Sequence, residues 1–291
     1  MLNTTLTIIL FVVPVVQDQS QFDATLNFHA VHQFSTSIDG GGKVEVTRTG
    51  VELRFTNEIS TLDDLQIRFQ YQQDDWDFSG TGFGALNPWS KITTFDFSVQ
   101  WTHEFNSTTS WFVGALARSS YEDTFSEGFV VGGTVGVVHS FDSNLTLGLG
   151  VGVIEQVIDD TRVFPLFVIE WQLSDTLRLT SDISTRFGSR AGVELEWAPR
   201  SDWSLGLGIS SDYSRFSLDK TGIAPNGAGE ATSYPLTLRA TYHASPNFDF
   251  TIYGGIVFSG QLEVTNSASA VINKQDYSSA GTFGIMGQIR F

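Results

Sequence analysis

The chain of 291 residues has no cysteine, only seven prolines and only two methionines. Without cysteine, disulfides and thiolate metal sites are excluded. Basic residues are scarce as well. Sixteen Lys and Arg stand against 32 Asp and Glu, a net charge of −16, which excludes the concentrated positive surface that nucleic-acid binding requires. Helical periodicity is missing too, since no stretch of even two turns repeats apolar residues at helical spacing. Beyond the first twenty residues, no apolar run approaches the length of a membrane helix. A membrane location would therefore require a closed barrel, the one other structure that satisfies every backbone group in hydrocarbon.

Residues 1–20, MLNTTLTIILFVVPVVQDQS, hold an apolar run from Leu6 to Val16, too short for a membrane helix and suited to the core of a secretory signal. No Lys or Arg precedes it, and no A-x-A-like site follows. The expected organisation is a signal peptide over 1–20 and one barrel domain over 21–291.

What the chain has in abundance is aromatic side chains and glycine: 24 Phe, seven Trp, seven Tyr and 28 Gly, a mixture that favours pleated strands. From Phe22 onward it divides into segments of period-two patterning. Phe95, Phe97, Val99 and Trp101 alternate with Asp96, Ser98 and Gln100; Leu145, Leu147, Leu149, Val151 and Val153 alternate with Thr146, Gly148, Gly150 and Gly152. Fourteen such segments can be counted, with twelve as the alternative. Their connections alternate between two classes. Six are compact, at 57–63, 106–109, 142–144, 174–176, 199–202 and 245–247; the intervening seven are more variable, from DGGG at 39–42 to EVTNSASAVINKQDY at 263–277. Short turns facing the periplasm and longer loops facing outside are the pattern of a closed antiparallel transmembrane β-barrel.

Five of the seven tryptophans, Trp101, Trp111, Trp171, Trp197 and Trp203, lie beside the compact turns on the outward parity. With Tyr242, Phe248 and the last residue, Phe291, they form an expected interfacial aromatic girdle. A terminal aromatic on the last strand is also how many outer-membrane barrels present themselves to the assembly machinery. The stretches WQLSDTLRL, WAPRSDWSLGLGI and YHASPNFDF resemble a family of bacterial outer-membrane barrels defined only as a domain of unknown function, and the whole pattern resembles monomeric porin-like barrels. That resemblance implies fold and location, the outer membrane, with outer-membrane lipids, lipopolysaccharide and the barrel assembly machinery as partners. It carries no activity. The competing reading is a soluble sandwich or propeller, against which stand the Gly, Ser and Thr of the polar parity, poor material for a soluble surface.

Motifs for chemistry are sparse. His32 shares parity with Leu26, Phe28 and Phe34 near the outer end of the first strand, but Ser35 and Ser37 fall on the other parity, so a lipid-acting enzyme ranks behind a non-enzymatic barrel. His103 and His139 sit at headgroup level, and His29 and His243 face the lumen without a neighbouring acid. Asp74, Asp75 and Asp77, then Glu122, Asp123 and Glu127, then Asp159 and Asp160 form an acidic rim at the loop end without EF-hand spacing. GGTVG at 132–136 and GLGVG at 148–152 are no phosphate loops, because their glycines sit within strands. No metal and no cofactor is expected.

The expected lumen lining is a mixture of charges: Glu52, Arg54, Arg68, Asp96, Arg118, Glu170, Arg178, Asp182, Arg190, Glu194, Glu196, Arg239, Asp249 and Arg290. A hairpin centred on Arg186 pairs Leu179 with Val193, Arg178 with Glu194 and Asp182 with Arg190. One centred on Ser60 pairs Leu53 with Ile67 and Glu52 with Arg68. Gly114, Gly132, Gly136, Gly148, Gly150, Gly152, Gly206 and Gly208 share the lumen parity, where the missing side chains leave space for water or for bulky neighbours across the barrel; at position 148 the lumen is expected to tolerate Arg. No loop is long enough to fold inward. The expected function is a monomeric channel for small polar solutes with weak ion selectivity; the alternative is a structural barrel that organises the cell surface.

Overall fold

A computed structural model describes residues 22–181 and 190–291. The expected signal peptide lies outside the described residues. Strands β1 (Phe22–Ser37), β2 (Lys43–Ser60) and β3 (Asp63–Ser79) precede one turn of helix, α1 (Gly82–Leu86). β4 (Lys91–Asn106), β5 (Thr109–Tyr121), β6 (Phe129–Ser140), β7 (Leu145–Gln156), β8 (Asp159–Ser174) and β9 (Leu177–Ser181) follow. Then come β10 (Arg190–Arg200), β11 (Trp203–Ser217), β12 (Ala228–Ser245), β13 (Phe248–Thr265), β14 (Val271–Tyr277) and β15 (Ala280–Arg290). Each strand from β1 to β13 pairs antiparallel with the next, and β15 joins β13 to β1, so fourteen strands close a barrel and β14 is an extra strand on β13. In the closing seam Leu26 lies opposite Ile289 and His32 opposite Phe283. The Phe291 backbone N–H donates to the Ala24 carbonyl at 2.9 Å.

Apolar residues face outward because a barrel in lipid has no other solvent to offer them. On β7, Leu147, Leu149, Val151 and Val153 are exposed, Leu149 by 66%, whereas Gly148 and Gly152 between them are buried. A soluble sandwich would bury that apolar parity, so that reading is overturned. Spanning the hydrocarbon takes about 9–11 tilted residues. β2, β12 and β13, at 18 residues each, therefore project beyond it.

The six compact turns stand where expected, at 61–62, 107–108, 141–144, 175–176, 201–202 and 246–247. At the other end two expectations fail. The β7–β8 connection is only residues 157–158, as tight as any periplasmic turn. Its length reflects Ile158, which accepts a positive φ of 58°. The longest connection is not a free loop, because Val271–Tyr277 pairs back onto β13 and carries the buried Tyr277 into the mouth, where it bridges Ile38.

Both hairpin registers also need correction, by two residues each. Leu179 lies opposite Leu195, Arg178 opposite Glu196 and Ser181 opposite Val193. Leu53 lies opposite Phe69, Glu52 opposite Gln70 and Arg54 opposite Arg68. The second turn is Thr61–Leu62 with an irregularity at Glu58 and Ser60, which moves its centre past Ser60. A slip of two preserves every residue's face, so the parities stand while the cross-strand partners change.

Candidate functional site

The inward parity below the mouth carries the charges, and the strands bring them into clusters along the wall. Glu52, 4% exposed, receives Arg54 at 2.8 Å, Arg68 at 3.8 Å and the Asn27 amide at 3.2 Å. It thereby separates two arginines that the register sets face to face. Arg118 binds Asp96 at 2.6 Å from the neighbouring strand. Arg239 of β12 reaches two strands away to Glu194, at 2.6 Å, and to Glu196. Gly206 lies between Arg239 and Glu196 in register, and a Cβ there would fall 2.7 Å from the arginine. Only glycine leaves the guanidinium its path. Arg290 and His243 share Asp249 at the periplasmic end, His243 at 2.8 Å. The expectation that His243 lacks an acid is therefore wrong, because β12 and β13 place the two directly opposite. Arg178 pairs with Glu170 at 3.3 Å. Asp182 and the side chain of Arg190 lie outside the described residues.

Nearer the mouth the charges leave the wall and cross the bore. Arg48 of β2 binds Asp74 of β3 at 3.4 Å and Asp212 of β11 at 3.2 Å, and its guanidinium lies 5.7 Å from the Trp76 ring. β2 and β11 are not neighbours in the sheet. Asp74 is thus a buried ion-pair partner and not part of a solvated rim. Tyr213 donates to Gln156 or Glu230, at 2.7 and 2.9 Å, while Arg215 binds Glu230 at 3.0 Å and the Val157 carbonyl at 3.0 Å. A cavity of about 30 Å³ runs from Arg48, Asp74, Asp212 and Tyr213 down to Asp96 and Arg118, room for a few waters.

Above this layer the mouth is filled by an apolar core. Val44, Val46, Trp76, Phe78, Phe216 and Leu262 come from projecting strand ends, and Phe83, Trp89, Leu218 and Tyr277 come from the connections. Trp89, 1% exposed, stands edge-on to Trp76, Phe78 and Phe216. The expectation that no loop folds inward is overturned, since short segments suffice when the strands themselves project. The outer end of β11 crosses to β5, where Ser217 pairs with Tyr121.

Glu122 fastens this closure. Its carboxylate accepts the Ser90 N–H at 2.9 Å and the Asp219 N–H at 3.3 Å, and its own N–H donates to Ser217 at 3.0 Å. Those partners adjoin Trp89 and Leu218 in the chain. Burial pushes the Glu122 carboxyl up, with the Asp219 charge adding to the shift.

Most of the lumen glycines face neighbours that fill their space, with Gly208 an exception whose Cβ would meet only ordinary contacts from 3.5 Å. A Cβ at Gly136 would fall 2.4 Å from the Phe112 ring, and at Gly148 it would meet Val138 at 2.9 Å and Val168 at 3.0 Å. Arg at position 148 therefore has no room, contrary to expectation. Among the other candidates, His32 bonds the Thr47 hydroxyl at 2.9 Å, so its partner is not a serine. His103 bonds Asp63 at 2.8 Å and His139 bonds Thr109 at 2.9 Å. Among the described residues, no group of three acidic or histidine side chains is placed to hold a metal. Asp159 and Asp160 have side chains outside the described set.

The aromatics expected at the girdle stand at the compact-turn end. Trp171, Trp197, Trp203, Tyr242 and Phe291 are exposed, whereas Trp101, Trp111 and Phe248 are half-buried. Trp101 packs edge-on to Trp111 at 4.8 Å and donates to Asp63 at 3.0 Å; Trp203 packs on Tyr242 at 5.0 Å. The sequence reading missed Arg48, Asp212, Tyr213 and Arg215. Arg48 shares parity with Glu52 and could have been found by that rule, but a contact across the bore has no local signal.

A closed antiparallel barrel with an apolar exterior and a charged interior is an outer-membrane barrel. The chain belongs to the family described as "Domain of unknown function (DUF6268)", whose pattern matches residues 89–285, from just before β4 into β15. No curated protein matches the sequence. Among solved structures, the chain is similar to the COG4313 outer membrane channel from Pseudomonas putida F1, at 12% identity and a TM-score of 0.48, over 97% of this chain and 100% of that one. It is similar to the P. putida toluene transporter TodX at 9% identity and 0.44, over 94% and 90%. The NanC porin follows at 11% identity and 0.41, over 91% and 98%. At such identities these likenesses do not extend to function.

Proposed function

We propose that this barrel is a monomeric channel for small polar solutes that rests closed at its outer mouth. The observation that carries the reading is the division of the interior. Charged side chains of both signs pair along the wall below the mouth, while the closure is made by apolar side chains on connections and projecting strand ends. A mixed lining of this kind, Glu52, Arg54, Arg68, Asp96 and Arg118 with Arg239, Glu194, Glu196, Asp249 and Arg290, gives weak ion selectivity, because neither sign dominates the field. The aromatic set from Trp101 to Phe291 then lies at the periplasmic headgroups and fixes the barrel's depth.

A second reading, a structural barrel without transport, draws on the Arg48–Asp212 tie and the small cavity of about 30 Å³ beside it. Reversal potentials across a planar bilayer under a salt gradient separate the two. Intermittent openings with a reversal potential near zero support the channel. Strong selectivity for either sign contradicts the mixed lining, and silence in both the wild type and variants with a loosened mouth supports the structural barrel.

A further inference from the structure

The cavity beneath the mouth is built by register. Gln70 of β3 lies opposite Asp96 of β4, and Asp96 opposite Arg118 of β5; one row nearer the mouth, Gln72 lies opposite Thr94 and Thr94 opposite Ser120. In the row above these, Asp74 stands between Arg48 and Ile92. The charges that line the cavity are balanced, Arg48, Arg118 and Arg215 against Asp74, Asp96 and Asp212, and each is held. Arg118 binds Asp96 at 2.6 Å, Arg48 binds Asp74 at 3.4 Å and Asp212 at 3.2 Å, and Arg215 binds Glu230 at 3.0 Å. The Gln72 amide also donates to Asp74, at 2.8 Å. An ion that entered would have to break one of these pairs and leave a buried charge uncompensated. What the lining offers instead is neutral. Gln70 is 4% exposed, and its Oε1 receives no hydrogen bond from any described residue. The Thr94 and Ser120 hydroxyls meet at 2.8 Å; whichever accepts keeps its own proton to donate elsewhere. Val31 and Ile92, both buried, add apolar surface to the same lining.

We infer that this cavity binds a small neutral solute that carries both a hydrogen-bond donor and an acceptor, of the size of a simple amide. The Gln70 Oε1 takes the donor, the Thr94–Ser120 pair answers the acceptor, and Val31 with Ile92 receives an apolar end. A molecule of that size fits room for a few waters, and it gives the buried Gln70 acceptor the partner that the protein does not. The inference names the solute class of the channel proposed above and rests on that reading for passage, but not for binding.

The test uses acetamide, acetate and acetamidinium, three probes of one shape that differ in charge and each carry a methyl group. Saturation-transfer difference NMR on the refolded protein in deuterated detergent reads binding from the methyl signal. Acetamide should bind about ten-fold more tightly than either ion, because only the ions disturb the buried pairs. Gln70→Leu should weaken acetamide about five-fold, the loss of one hydrogen bond to a buried group, and Ser120→Ala, a smaller change, should weaken it as well. Gln70→Glu should move the preference to acetamidinium. Leu149→Ala, on the lipid face, should change nothing. Heat-modifiable gel migration checks that each variant is folded. Equal binding of the three probes overturns the inference, as does unchanged acetamide binding by folded Gln70→Leu and Ser120→Ala. No signal from any probe overturns it too, by leaving water as the only occupant. Liposome swelling separates this inference from the channel reading: selective acetamide binding without acetamide entry, in the wild type and in variants with a loosened mouth, leaves the site standing and removes the channel.

Discussion

Arg48 and Asp212 form an ion pair at 3.2 Å across the bore, from strands that do not touch in the sheet. Asp74 completes the group at 3.4 Å, and all three side chains are at most 13% exposed. Arg48→Ala leaves two buried carboxylates without their shared cation, a loss of about 3–5 kcal/mol for a buried pair. The expected outcome is a lowered thermal transition for the folded band on unheated gels. Arg48→Ala with Asp74→Asn and Asp212→Asn should recover most of it, since no uncompensated charge remains.

The seven tryptophans should divide into two classes. Trp101, Trp111, Trp171, Trp197 and Trp203 are expected to be quenched by bromines on lipid chains at one shallow depth, whereas Trp76 and Trp89, buried in the mouth, should be insensitive both to lipid bromines and to aqueous iodide. Iodide access to Trp89 in the resting protein would show that the mouth is not packed.

Leu149→Arg places a charge on the lipid face near mid-membrane and should cost about 2–4 kcal/mol, measured as a shift in the urea midpoint in vesicles. Gly148→Arg should be at least as damaging, because Val138 and Val168 already occupy the space inside. A tolerated Gly148→Arg would mean that this wall is open.

Closure of the mouth should depend on pH through Glu122. Its carboxyl is raised above its ordinary value of 4.5 by burial and by Asp219, so the closed mouth binds a proton more readily than an open, solvated one. Linkage then makes closure most favourable below about pH 4.5 and weaker as pH rises through the elevated value. Openings should be rarer at pH 4 than at pH 7. Glu122→Gln, fixed in the neutral state, should flatten that dependence, and an unchanged profile would remove Glu122 from the account.

Period-two patterning carried the strand number, the compact turns and the outward face because each is local: Leu147 and Leu149 are apolar wherever the next strand lies. The register of Arg54 against Arg68 was misread because complementary charge suggested a pairing that the turn at Thr61–Leu62 does not allow. The glycines left open whether the space they make holds water or a bulky neighbour. At Gly206 and Gly136 the glycine signals a side chain arriving from another strand, Arg239 or Phe112, which no spacing within one strand reveals. The mouth was least legible of all. Its core joins Val44, Trp89, Phe216 and Tyr277, residues dispersed along the chain whose meeting depends on barrel closure itself.

The central claim, a bore closed at its outer mouth by segments that can move, is tested most directly by a reversible lock. The chain has no cysteine of its own, so Tyr121→Cys with Ser217→Cys introduces the only thiols, at two positions paired across the mouth. Single-channel recording in a planar bilayer should show openings with reductant present, their loss on oxidation and their return on reduction. Equal conductance in the oxidised and reduced states would contradict a pathway through this mouth.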